Sequence, residues 1–148
     1  MLRKIALGLS VLVLALFIAG IAGYVITGPQ APAADSVSAQ WLKPGPYMTA
    51  SSDKVFVDSS RGTAANRDYS GAADRTLATT LWYPLDTEES HPLVIHSHGF
   101  TSARNDLSYV AELLASHGYV VAAADYPLTH GGAPGKPNAV DVVNQPAD

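Results

Sequence analysis

The amino-acid sequence predicts an α/β domain behind one apolar helix. Three observations predict it. Arg3 and Lys4 are followed by an uncharged run, Ile5 to Ile26. Two unbroken apolar stretches, Leu93 to Ser97 and Tyr119 to Ala124, flank an amphipathic segment. Both stretches then run into turn-rich loops, at His98-Gly99 and at Asp125-Tyr126-Pro127.

A bilayer core is spanned by about 20 apolar residues, and Ile5–Ile26 reaches that length. A cleavable signal has a shorter apolar region, about 7–15 residues, followed by a small-x-small site. Ala31-Pro32-Ala33 offers such a site, whereas the length of the run favours an uncleaved anchor. Under both readings the basic pair keeps the N-terminus in the cytoplasm and the domain is exported. The expectation is a signal anchor or signal peptide over residues 1–34, a tether over 35–52, and an incomplete domain over 53–148. Its location is the outer side of the cytoplasmic membrane, or the secreted or periplasmic space if the signal is cleaved. Without Arg3 and Lys4 the 9 basic residues fall to 7 against 13 acidic ones, which argues against nucleic acid as a partner. There is no cysteine, hence no disulfide, thiolate nucleophile or lipoprotein anchor. That usage fits an exported bacterial protein.

Along the domain, Lys54 to Asp58 is a short strand and Ser59 to Asp74 a polar loop. Arg75 to Tyr83 is a better strand, which Pro84 stops. The run Leu93 to Ser97 shows no alternation, as expected of a strand buried on both faces. Asn105 or Asp106 caps the next helix, whose Leu107, Val110, Ala111 and Leu114 share one face. His117 closes that helix and Gly118 takes the position after the cap. Strand, helix and strand form one parallel, right-handed crossover unit. In such sheets ligands bind beyond the carboxyl ends of the strands. Leu128 to Asp148 reads as a surface loop without a closing element. Arg61 and Arg75 read as surface or loop-tying charges, and His130 as solvent-facing. Asp125 reads as an acceptor for loop N–H groups.

The strings Leu93-Val94-Ile95-His96-Ser97-His98-Gly99-Phe100-Thr101-Ser102 and Leu113-Leu114-Ala115-Ser116-His117-Gly118-Tyr119-Val120-Val121-Ala122 resemble those of α/β-hydrolases. The resemblance is to dienelactone hydrolase-like and platelet-activating-factor acetylhydrolase-like esterases, and to bacterial polyester hydrolases and cutinases. Arg75-Thr76-Leu77 and Trp82-Tyr83-Pro84 add to the acetylhydrolase-like pattern. It covers about Pro44 to Asp148 and implies the N-terminal part of an α/β-hydrolase sheet acting on small-molecule or lipid esters, with no cofactor or metal. It also implies that the backbone N–H of Phe100 is an oxyanion donor, with Thr101 as a helper. Phe100 and Tyr126 would contact substrate, and His98 and Gly99 would shape the turn. Gly99 lets the backbone turn with no Cβ in the way.

These families carry their nucleophile in a Gly-x-Ser-x-Gly elbow. No such string occurs in the 148 residues, so the nucleophile, acid and base are expected outside them. The alternative is a non-catalytic, membrane-anchored binding module or gene remnant. A zinc hydrolase built on His96 and His98 is a third reading, which the lack of a third ligand nearby disfavours.

Overall fold

The computed structural model describes residues 2–85 and 88–148, the side chains of residues 2–7 excepted. The side chains of Arg3, Lys4 and Ile5 therefore lie outside the described set. The chain divides into two compact units, Met1–Gln40 and Trp41–Asp148.

The first unit is dominated by helix α1, Leu2–Thr27. Its stretch Gly8–Thr27 is long and apolar enough to cross a membrane, and none of it is buried within the protein. A short helix α2, Val37–Trp41, begins where the Ser36 hydroxyl accepts the Ala39 N–H.

The second unit is a four-stranded mixed sheet in the order β1-β2-β4-β3. Strand β1, Thr49–Asp58, pairs antiparallel with β2, Arg75–Pro84. Strand β4, Val120–Asp125, lies antiparallel to β2 and parallel to β3, Leu93–His96. Helix α3, Ser108–Ser116, links the two parallel strands, as the crossover reading requires. One sheet face packs on α3 through Trp82, Val121, Ala123, Ala111 and Ala115, with Val94 and Leu114 at the margin. The opposite face carries Leu77, Leu81, Ala122, Ala124, Leu93 and Ile95 around a groove of about 260 Å³. There Leu93 and Ile95 are 61% and 63% exposed, so β3 is covered on its α3 face alone and not on both faces as its unbroken apolar run predicts.

Helix α3 ends as the sequence expects. Gly118 has φ +92°, its N–H reaches Ala115 O, and the Tyr119 N–H reaches Leu114 O. That pairing satisfies two late carbonyls and requires the left-handed conformation that glycine adopts freely. The helix start differs. Leu107 precedes Ser108 without a side-chain cap, because Asn105 and Asp106 are engaged elsewhere. Asn105 Oδ1 lies 3.3 Å from the Thr80 hydroxyl, whose 2.6 Å bond goes to Asp53, and the Asp106 carboxylate takes His96 and Ser102.

Three further expectations are corrected. Strand β1 begins at Thr49, five residues before Lys54, because pairing with β2 extends to Pro84. Within residues 59–74, Thr63 bridges Ala72 and Asn66 bridges Tyr69. Residues 139–147 form a 3₁₀ helix rather than an open loop. Asn138 caps it by accepting the Val140 N–H, and Gln145 donates to the fully buried Thr129.

Of the two roles read for Arg75, loop-tying holds and surface charge does not: it is 1% exposed. Its guanidinium donates to both carboxylate oxygens of Asp141 and both of Asp148, at 2.6–3.2 Å. This fork of charge-assisted bonds ties the 3₁₀ helix to the start of β2 and holds the guanidinium pKa well above its ordinary value. Arg61 adds a bond to Asp148 and one to Asp58.

Asp58 closes β1 in a turn whose Ser60 hydroxyl and backbone N–H both reach its carboxylate, with Arg61 beside them. These contacts favour the charged form and lower its pKa to about 2. The folded value lies below the unfolded one, so the turn's contribution to stability is present above about pH 4. It is lost as pH falls toward 2. The Asp58 carboxyl carbon is expected to titrate near pH 2 by NMR, and Ser60→Ala to move that midpoint up; an unchanged midpoint in the variant would refute the assignment.

Candidate active site

The loop after β3 is held from several sides. His98 is 4% exposed and its ring packs on Tyr126 with centroids 5.3 Å apart. The Tyr126 N–H donates to His98 Nε2 at 3.3 Å, and His98 Nδ1 lies 2.8 Å from Gly99 O. A backbone N–H is only a donor and a carbonyl only an acceptor, so neutral His98 with its proton on Nδ1 satisfies both contacts. The Thr101 N–H donates to Thr129 O, the Ser102 N–H to Gly99 O, and the Gly131 N–H to Ser102 O. Arg104 fastens the far end of the loop. Its N–H reaches Asp125 Oδ1 at 2.7 Å, its guanidinium reaches Asp125 Oδ2, and its Nε donates to Thr80 Oγ1. Asp125 thus serves as the loop-anchoring acceptor expected of it.

Within this braced loop the Phe100 N–H has no hydrogen-bond partner among the described residues. Gly99 is open on its side-chain face, where a Cβ would meet nothing within 4 Å. Phe100 is 49% exposed. The result is an unpartnered donor beside free space at the carboxyl end of β3, a place that can take an oxygen carrying negative charge.

Some site expectations change. A Cβ at Gly99 would meet nothing within 4 Å, so the turn does not need glycine there to avoid a clash, and its positive φ, +68°, falls on Thr101. Glycine at 99 therefore leaves open space beside the turn rather than relieving a clash within the protein. The Thr101 N–H is committed to Thr129 O, so it cannot help as an anion donor. Tyr126 is 3% exposed, its hydroxyl shares a 2.7 Å hydrogen bond with Ser97, and it borders the apolar groove on the sheet face opposite α3. Its work is to support His98 from below.

His96 and His98 do not converge. His96 Nε2 meets Asp106 Oδ1 at 2.9 Å, while both nitrogens of His98 face backbone. Among the described residues no group of three or more His, Asp or Glu side chains could hold a metal ion. Ser102, Asp106 and His96 do form a chain, with Ser102 Oγ 2.5 Å from Asp106 Oδ2. The carboxylate sits in the middle, so the imidazole cannot take the serine proton, as a triad requires. The Ser102 hydroxyl, with His96, lowers the Asp106 pKa. His130 is half-buried rather than solvent-facing, and burial pushes its pKa below the ordinary histidine value despite the nearby Asp125 charge. Sequence reasoning missed the anchoring role of Arg104. Its only local signal is a lone basic residue inside the loop, and its partner lies 21 residues away.

The family described as platelet-activating factor acetylhydrolase, isoform II, matches residues 29–127, well over half of the chain. Platelet-activating factor acetylhydrolase of Cavia porcellus is 46% identical over 43 residues, which are 29% of this chain and 10% of that protein. A ferulic acid esterase from Streptomyces cinnamoneus superposes with a TM-score of 0.48 at 24% identity, covering 62% of this chain and 38% of that one. The matched segments thus span well under half the length of either protein. With residues 29–127 matched throughout, the chain belongs to the platelet-activating factor acetylhydrolase, isoform II, family of α/β-hydrolase-like esterases.

Proposed function

We propose that this chain supplies the oxyanion-binding part of a carboxylic ester hydrolase, tethered by α1 outside the cytoplasmic membrane. One observation carries the reading: the free Phe100 N–H beside the open face of Gly99, at the carboxyl end of a parallel strand. Ester hydrolysis adds water across the acyl bond and yields an acid and an alcohol. The carbonyl oxygen gains charge on the way to the tetrahedral intermediate. A fixed backbone donor aimed at that oxygen needs no reorganisation when the charge appears. The phenyl ring of Phe100 provides an apolar wall for the acyl group. The serine, acid and histidine of the reaction are assigned to sequence outside these 148 residues.

A second reading is a membrane-anchored binding module without catalysis. The codons after Asp148 and a nitrophenyl acetate assay of the whole translated product separate the two. An elbow serine, an acid and a histidine together with turnover support the hydrolase; a product with neither elbow nor turnover overturns it. In an active product, Phe100→Pro removes the donor and is expected to lower kcat by about 10²–10³-fold. Phe100→Leu keeps the N–H and is expected to retain most of that activity. Equal losses in both variants would point to the ring rather than the amide.

A further inference from the structure

The peptide unit whose N–H is free is the same unit whose carbonyl is doubly engaged. Gly99 O receives the Ser102 N–H at 2.9 Å and His98 Nδ1 at 2.8 Å. No cis peptide occurs among the described residues, and in a trans amide the N–H points away from the C=O. Two donors on the carbonyl side therefore fix where the Phe100 N–H points. They also draw electron density toward the oxygen, and hydrogen bonds linked through one amide strengthen each other. Ser102 contributes a backbone N–H that any residue but proline would supply. The His98 contribution depends on its side chain and on which ring nitrogen carries the proton.

That proton is placed by a third group. The Tyr126 N–H occupies Nε2 and makes that nitrogen an acceptor. With the proton on Nε2, two N–H groups would oppose each other there, and the Nδ1 lone pair would oppose Gly99 O. Tyr126 is itself held by its ring contact with His98 and by Ser97. The order of transmission runs from the end of β4 through the Tyr126 N–H and the imidazole to the Gly99–Phe100 peptide.

We propose that His98 is a positioning residue: its Nδ1–H, held in that tautomer by the Tyr126 N–H, aims and polarises the Gly99–Phe100 peptide so that the Phe100 N–H serves as an anion donor. This rests on the hydrolase reading for its purpose, but not for its test. The whole 148-residue chain, ¹⁵N-labelled in detergent micelles, reports the neutral imidazole directly through its long-range nitrogen–proton couplings. The expected pattern is a protonated Nδ1 and a bare Nε2; the reverse pattern would overturn the proposal without any variant being made.

Two substitutions then separate positioning from packing. His98→Asn places an amide nitrogen near the Nδ1 position and keeps the bond to Gly99 O. His98→Gln reaches the Nε2 position and keeps the acceptor for Tyr126, but loses the donor to Gly99. The Phe100 amide proton is expected to shift upfield in the Gln variant and to return close to the native position in the Asn variant. Equal shifts in both, or a native-like Gln variant, would leave His98 as packing alone. A chain that shows the expected amide response while the whole product hydrolyses nothing would sink the hydrolase reading and keep this one. Turnover with an unresponsive amide would do the opposite.

Discussion

Arg75→Ala is expected to lower the unfolding free energy of the sheet unit by about 3–5 kcal/mol, the cost of removing one partner from a buried ion pair. The Arg75, Asp141 and Asp148 side chains are at most 3% exposed, so solvent cannot replace the missing charge. Asp141 would keep one bond from Asn144, and Asp148 one from Arg61. Arg75→Lys is expected to recover only part of the loss, because a single ammonium cannot serve two carboxylates in the fork geometry of a guanidinium. The loss should be local first. Amide exchange should rise across residues 139–147 before it rises in β2 or β4, since the fork is what fastens that 3₁₀ helix to the sheet. Urea midpoints for the native chain and both variants, with exchange mapped by mass spectrometry, check this. A midpoint unchanged in Arg75→Ala would show that the network contributes nothing net.

Trp82→Ala is expected to cost a comparable amount, about 3–5 kcal/mol, with the upper half of that range favoured. Trp82 is 4% exposed in the cluster under α3. Three of its neighbours there are Ala111, Ala115 and Ala123. Alanines have no side-chain freedom with which to swing into the vacated volume, so the cavity stays largely open. Trp82→Phe should cost distinctly less, because most of the buried aromatic area survives. The only other tryptophan, Trp41, is 66% exposed, so blue-shifted native fluorescence reports Trp82 alone. A Trp82→Ala variant that unfolds at the native urea midpoint would contradict the assignment of the core.

The β3-α3-β4 unit could be read from the sequence because its signals are local. An unbroken Leu93-Val94-Ile95 run, a face of Leu107, Val110, Ala111 and Leu114, and a Gly118 stop each need only a few neighbouring residues to be recognised. The His98-Gly99-Phe100 turn was visible for the same reason. What stayed hidden depends on partners far along the chain. Arg75 could be read only as a surface or loop-tying charge, without its partners, because its carboxylates are 66 and 73 residues away. The 3₁₀ helix was missed because it is held by that fork and by Gln145 on Thr129, rather than by its own periodicity. Tyr126 could be placed at a strand end beside a groove, but the depth of its burial could not be read. Its burial is set by Ser97 and His98, on the neighbouring strand's loop. The left-handed backbone at Thr101 had no glycine or asparagine to announce it.

The strand order has a bearing on how the chain is made. Of the four described strands β4 is the last to leave the ribosome, yet it is the one that joins β2 to β3. The β1–β2 ribbon can form early, because its two strands are adjacent in sequence and pair antiparallel. β3 then has nothing to dock on until residue 125 has emerged, and the indole of Trp82 stays uncovered for the same interval. Nascent chains paused between Ser97 and Val120 should accordingly be held by apolar-binding chaperones, and release should coincide with synthesis of the Val121-Ala122-Ala123 segment that closes the gap.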